Sequence, residues 1–129
     1  MRRLWLVLLI ILVSIPMLAW SGEKAETNQV DWNSFSKNLV KAIASDNEGL
    51  QRSAMRLIIH HADKVDVNQA VFDLVRIYRY HKDTKVRQLA IVALDKIHNK
   101  WAMGFLKRDL KFQESPVLQK QILACMDEF

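Results

Sequence analysis

Histidine, cysteine and paired carboxylates are where chemistry would have to start in this chain. The four histidines are His60, His61, His81 and His98. His60 and His61 look like the beginning of a metal site, but adjacent residues on a helix point about 100° apart. No HExxH and no Cys/His set accompanies them, so the pair lacks ligand spacing. His61 falls in the middle of an apolar helix face, the place of a packed, hydrogen-bonded core histidine. His81 lies in a turn and His98 near a helix end, where a cation favours the helix dipole. Asp63 and Asp66 flank one turn and read as turn and cap residues. Cys125 is the only cysteine. It cannot form an internal disulfide and reads as a small buried residue on the last helix, with an intermolecular disulfide or a reactive thiol as alternatives. GxSxG, P-loop and GxGxxG motifs are absent from the sequence. No catalytic residue, cofactor or metal is therefore expected, and the chain reads as a non-enzymatic protein.

The elements that would position these side chains are helices. With 129 residues there is room for one domain, and three glycines and two prolines leave few tight turns for an all-β fold. From Asp31 onward the apolar residues recur at three- and four-residue spacing. The stripes are Trp32, Phe35, Leu39 and Ile43; Leu50, Ala54, Leu57, Ile58 and His61; Val71, Leu74, Val75 and Tyr78. They continue with Val86, Ala90, Ala93, Leu94 and Ile97; Trp101, Phe105 and Phe112 beside Leu106 and Leu110; and Leu118, Ile122, Cys125 and Phe129. Start signals fall at Asp31, at Ser45 with Glu48, at Asp66 with Gln69, at Asp83, and at Ser115 before Pro116. Short connections predict six helices in three antiparallel hairpins. Aligning the second helix of each hairpin brings Leu50, Val86 and Val117 together, Ala54 onto Ala90 and Gln121, and Leu57 onto Ala93 and Ala124. Such a recurrence marks a stacked helical array.

Within this pattern, DTKVRQLAIVAL (Asp83 to Leu94) resembles the second helix of a HEAT repeat, of the armadillo-type helical families. Asp83, Val86, Arg87, Ala90, Ala93 and Leu94 match the family pattern position by position. Including looser units, the resemblance runs from Asp31 to Phe129. It implies an all-α, short α-α superhelix of about three hairpins, used for protein binding, with the second helices on the concave side. Gln51 and Leu118 stand where the family arginine would be, so a continuous Asp–Arg ladder is not expected. An unrelated six-helix bundle is the alternative architecture.

Three segments precede or make up this domain. Residues 1–21 read as a signal peptide, 22–30 as a polar linker and 31–129 as the helical repeat domain. Arg2 and Arg3 open a charge-free run, Leu4 to Trp20, and Ala19 and Ser21 supply the small residues of a cleavage site. The alternative is an uncleaved anchor, since about 17 apolar residues reach the lower limit for a bilayer span. Both place the folded part outside, periplasmic or secreted. From Gly22 the chain carries 17 basic and 14 acidic residues, and Arg76 to Lys111 holds ten of the basic against three of the acidic ones. That middle segment could meet anionic lipid, a polyanion or an acidic protein, or be a solvated face.

The expected function is that of an exported, monomeric binding module, an adaptor or assembly factor for another protein or peptide. A membrane-tethered regulator with its basic surface on anionic lipid is the alternative. Export argues against nucleic acid. Rows across the second helices, Arg52 with Gln88 and Gln119, Arg56 with Val92 and Leu123, and His60 with Lys96 and Asp127, form the candidate surface. Its site residues are Arg52, Arg56, Gln88, Val92, Lys96, Gln119 and Leu123, with Val92 and Leu123 as apolar points in a polar rim. Mass spectrometry of the exported protein is expected to find a mature N-terminus at Gly22. A chain beginning at Met1 in the membrane fraction would establish the anchor instead.

Overall fold

The short turns between apolar stripes leave the chain one way to bury them, helix against helix. The computed structural model describes residues 28–127. The expected signal peptide with its exit at Ala19 and Ser21, and Phe129, lie outside the described residues. Six α-helices follow one another: α1 (Trp32–Ala44), α2 (Glu48–His60), α3 (Val71–Tyr80), α4 (Thr84–Ile97), α5 (Lys100–Asp109) and α6 (Pro116–Met126). Short 3-10 turns, Asn68–Ala70 and Leu110–Phe112, open α3 and close α5. There is no strand among the described residues, and no described helix is long and apolar enough to cross a membrane.

Successive helices pair, α1 with α2 and α3 with α4, and the second helices also lie side by side, α2 on α4 and α4 on α6. One continuous core runs through them, from Leu39 and Ile43 on α1 to Leu118, Ile122 and Cys125 on α6. α4 is its centre, burying Val86, Ala90, Ile91, Ala93 and Leu94. Each fully buried large aliphatic of this kind contributes about 1.5–3 kcal/mol relative to exposure.

Caps explain where the helices start, and they correct several expectations. Asp31 caps α1, accepting from the Asn33 and Ser34 amides. The Ser34 hydroxyl, and then its amide, hold the Asp31 carboxyl below its ordinary value. The start of α2 is not a Ser45–Glu48 capping box. Asn47 is the cap, accepting from the Leu50 amide, while Ser45 ends α1. Nor does Asp66 cap α3: its Oδ1 accepts from the Asn68 amide at 3.3 Å, one turn early, and the 3-10 turn begins without a side-chain cap. Asp83 and Ser115 cap α4 and α6 as expected, with Pro116 at the first helical turn. Asn99 caps α5, a start that the sequence pattern did not single out. His98, just before it, ends α4 in the left-handed region at φ 55°.

Aligning the second helices by their caps, Asn47, Asp83 and Ser115, shifts the third unit by one residue. Leu118, not Val117, is equivalent to Val86 and Leu50. Gln119 is equivalent to Arg87 and Gln51, and Cys125, not Ala124, to Ala93 and Leu57. Burial then follows position along the stack. Leu50 is 48% exposed, whereas Val86 and Leu118 are buried. Leu57 is exposed, whereas Ala93 and Cys125 are buried. The opposite flank runs the other way, with Met55 and Ile91 fully buried and their equivalent Leu123 51% exposed. One flank of each second helix thus faces the unit before and the other the unit after. Leu50 and Leu57, expected in the core, are exposed because no described unit precedes α2. Trp101 and Phe112 are also exposed, since α5 turns Ala102, Met103 and Leu106 inward instead.

Ala93 has no exposed surface and lies on the flank of α4 that faces α2. Ala93→Leu is expected to destabilise the protein by about 1–3 kcal/mol, because added methylenes at a close helix contact force neighbours off their rotamers. A shift of the chemical-denaturation midpoint checks it. An unchanged midpoint would remove the close contact.

Candidate functional site

A short turn between antiparallel helices leaves the last carbonyls of the first helix without helical partners. The fourth residue after each second-helix cap answers that need. Gln51 Nε2 donates to the Ser45 carbonyl at 2.6 Å and to that of Ile43 at 3.1 Å. Arg87 Nε donates to the Tyr78 carbonyl at 2.6 Å. Gln119 Nε2 donates to the Gln113 carbonyl. Three turns are closed by one device. Its consequence for the candidate surface is direct: Gln119 faces its own turn and does not extend the row of Arg52 and Gln88.

The remaining predicted residues divide. Arg52, Arg56, Gln88, Val92 and Lys96 lie at equivalent positions on neighbouring α2 and α4 and form a common outward face. On α6 the cap register gives that face Lys120 and Ala124 in place of Gln119 and Leu123. Leu123 belongs to the flank occupied by Met55 and Ile91 on the earlier helices. On α4, flanked on both sides, Gln88, Val92 and Lys96 are half-buried, while Arg56, Lys120 and Ala124 are exposed. Arg52 is engaged already: its guanidinium meets Asp83 at 3.3 Å and Glu48 at 3.9 Å. The same Glu48 carboxylate receives Lys82 at 3.7 Å and His81 Nε2 at 3.5 Å. This charged junction ties the start of α2 to the turn before α4. His81 Nδ1 also accepts from the Asp83 amide at 3.0 Å.

His61 is not a mid-helix core residue. It is the C-cap of α2, and its ring packs on Trp32 and Phe35 with centroids at 5.3 and 5.9 Å. His60 meets it edge-on at 4.6 Å. Asp63 is exposed in the turn that follows. Among the described residues no group of three or more His, Cys, Asp or Glu side chains could hold a metal ion.

Tyr78 is the polar centre that sequence reasoning assigned only to the core. Its ring is fully buried. The hydroxyl donates to Asp109 Oδ2 at 2.6 Å and accepts from Gln113 Nε2 at 2.7 Å. Around it opens a cleft lined by Arg79, Arg87, Asp109, Phe112, Gln113, Glu114 and Ser115. Burial first, and then the bond to Asp109, push the Tyr78 hydroxyl up to about 12. A 31-residue relation recurs here: Tyr78 with Asp109, Asn68 with Asn99 and Arg52 with Asp83 are each joined by a hydrogen bond at that separation.

No protein-family model, curated protein or solved structure matches the chain.

Because the folded-state value of Tyr78 is raised from 10.0, its contribution to stability is complete below pH 10. It is lost as pH rises through about 12. Stability should therefore decline across that alkaline window, and less steeply in Tyr78→Phe. That variant should also lose about 1–2 kcal/mol at neutral pH, having left Asp109 and Gln113 without the hydroxyl. Phenolate ultraviolet absorbance checks the assignment: the ionisation near 12 should vanish in Tyr78→Phe.

Proposed function

We propose that the chain is a HEAT-like stack of three helical hairpins, exported by its N-terminal segment, that binds a protein or peptide along the outward faces of α2, α4 and α6. The carrying observation is the burial pattern at equivalent positions. Leu50, Val86 and Leu118 become buried only when a unit precedes, and Met55, Ile91 and Leu123 only when a unit follows. That dependence is what a one-dimensional array of repeats requires and a closed bundle does not. The resemblance of Asp83 to Leu94 to a HEAT second helix supports the same reading.

The bound partner is an acidic peptide or helix. Arg56, Lys96 and Lys120 line the outward face beside Arg52, whose guanidinium is shared with Glu48 and Asp83, with Val92 and Ala124 as the apolar points between them. A basic face with a few apolar seats fits an amphipathic helix whose rim is acidic. Opposite charges at the rim steer association, while burial of the apolar residues sets the lifetime of the complex. Such a module needs no catalytic group, and its output is the joining of two other components.

The test is capture from a cell-envelope extract by the full chain. Arg56→Glu with Val92→Asp is expected to lower recovery of the specific partner by about tenfold or more, the scale of a lost anchoring contact. Circular dichroism must show retained helicity. Arg56→Glu with Lys120→Glu, both fully on the surface, provides the same test without touching a half-buried residue. Undiminished capture by both folded variants would eliminate this face as the binding surface.

A further inference from the structure

The first helices carry a second surface of different chemistry. On α3 the residues Phe72, Arg76, Arg79 and Tyr80 share the outward side; on α5 it is Trp101, Phe105 and Arg108. The two rows touch, with the Phe72 and Trp101 ring centroids 4.8 Å apart. Trp101 stacks on Phe105 at 5.7 Å. The Arg79 guanidinium lies 5.9 Å from the Phe105 ring and 5.3 Å from that of Tyr80. Phe112 continues the line beyond α5, with Lys111 5.0 Å from its ring. These aromatics are not core residues that happen to show an edge: Phe72 is 69% exposed, Tyr80 72% and Phe112 71%.

We propose that this aromatic and basic ridge of α3 and α5 seats on a membrane surface, its rings at headgroup depth and its cations on anionic phospholipid. The proposal goes beyond protein capture by α2, α4 and α6 and does not depend on it. Three observations select lipid as the occupant. Trp101 and Tyr80 are the exposed amphipathic rings of the kind that settle at membrane–water interfaces, and Phe72 and Phe112 are the apolar bulk that an interfacial face buries beside them. They lie along two adjoining helices as a broad face, as in a helix resting in the interface plane. The charge around them is basic on balance: Arg79, Lys107, Arg108 and Lys111 are exposed, against Asp109 and the exposed Glu114, which lines the same cleft as Arg79 and Phe112. Asp73 holds Arg76 and Asp109 holds the Tyr78 hydroxyl. Clustered Lys and Arg beside apolar rings are what attract anionic headgroups and make binding salt-dependent.

The experiment uses the full chain with Trp101 as the sole tryptophan, the other three, Trp5, Trp20 and Trp32, being replaced by Phe. It is added to vesicles whose acyl chains carry bromine, made of phosphatidylcholine alone or mixed with phosphatidylglycerol. Bromine quenches only a ring that reaches the bilayer, so insertion of residues 4–20 by itself does not give the signal. Trp101 emission should be quenched on the phosphatidylglycerol mixture at low salt and recover as salt is raised. Arg79→Glu with Arg108→Glu should weaken that quenching response by about tenfold or more in lipid concentration. Unquenched emission from vesicle-bound chain would overturn the proposal. Equal quenching on both lipids, indifferent to salt, would overturn the headgroup part of it. The salt series needs no ridge substitution, so it decides the matter even where the double variant fails to fold. Partner capture by α2, α4 and α6 is read separately and can fail or succeed without changing this result.

Discussion

Everything in this fold rests on satisfying the carbonyls that a tight helix–helix turn leaves bare. An unpaired buried carbonyl costs about 1–3 kcal/mol, and each hairpin here ends its first helix in such a turn. Gln51, Arg87 and Gln119 reach back from the first turn of the second helix to close it. Each does so from the fourth position after a capping residue, Asn47, Asp83 or Ser115. Cap and reach-back together fix the rotation of the second helix about its axis. With the rotation fixed, the assignment of every other residue to core, flank or outward face follows from helical geometry.

The flanks then decide how far the core extends. α4 has a neighbour on each side and buries both flanks, Val86 and Ala93 on one, Ile91 on the other. α2 and α6 have one described neighbour each, and their outer flanks show leucine. Small residues at Ala54, Ala90 and Ala93 let the helices approach closely enough for the larger side chains to interlock. Burial is therefore a property of position among the packed helices as much as of residue type. Leu57 and Cys125 illustrate it. They are equivalent positions, and the less hydrophobic cysteine is the buried one because it faces a neighbour.

That is also the limit of what the sequence could tell. The six helices, their approximate bounds and the cores of α3 and α4 were legible, because period and caps act within one helix. Val71, Leu74, Val75 and Tyr78 are all buried as read. What failed was information held between helices. Val117 was matched to Val86 and Leu50 by the recurrence of apolar residues, whereas the cap at Ser115 sets the register one residue later, and that single step moved Gln119 and Leu123 onto a face they do not share. Trp101 and Phe112 were read as part of an apolar stripe by their spacing, yet α5 turns Ala102, Met103 and Leu106 inward, and the large rings are left outside. Of the candidate surface, the α2 and α4 residues kept their common face and the α6 residues did not. The aromatic ridge was not foreseen at all, since it requires two helices distant in sequence to be adjacent.

Tyr78 joins these parts into one object. Its carbonyl takes the Arg87 reach-back from α4, and its hydroxyl takes Asp109 at the end of α5 and Gln113 in the turn before α6. Its ring meets Phe105 edge-on at 6.5 Å, and the Arg87 guanidinium lies 5.8 Å from it on the α4 side. The buried ring cannot shift without breaking the hydroxyl's bonds to Asp109 and Gln113, and the backbone that carries it is held separately by Arg87. Phe105 rests on it, Trp101 stacks on Phe105, and Phe72 packs against Trp101, so the exposed rings of α3 and α5 stand on a fixed base. Rings ordered before contact lose little entropy on seating against a partner. The polar network therefore serves two ends: it closes the second hairpin, and it holds the outward aromatics in the arrangement that a flat surface can meet.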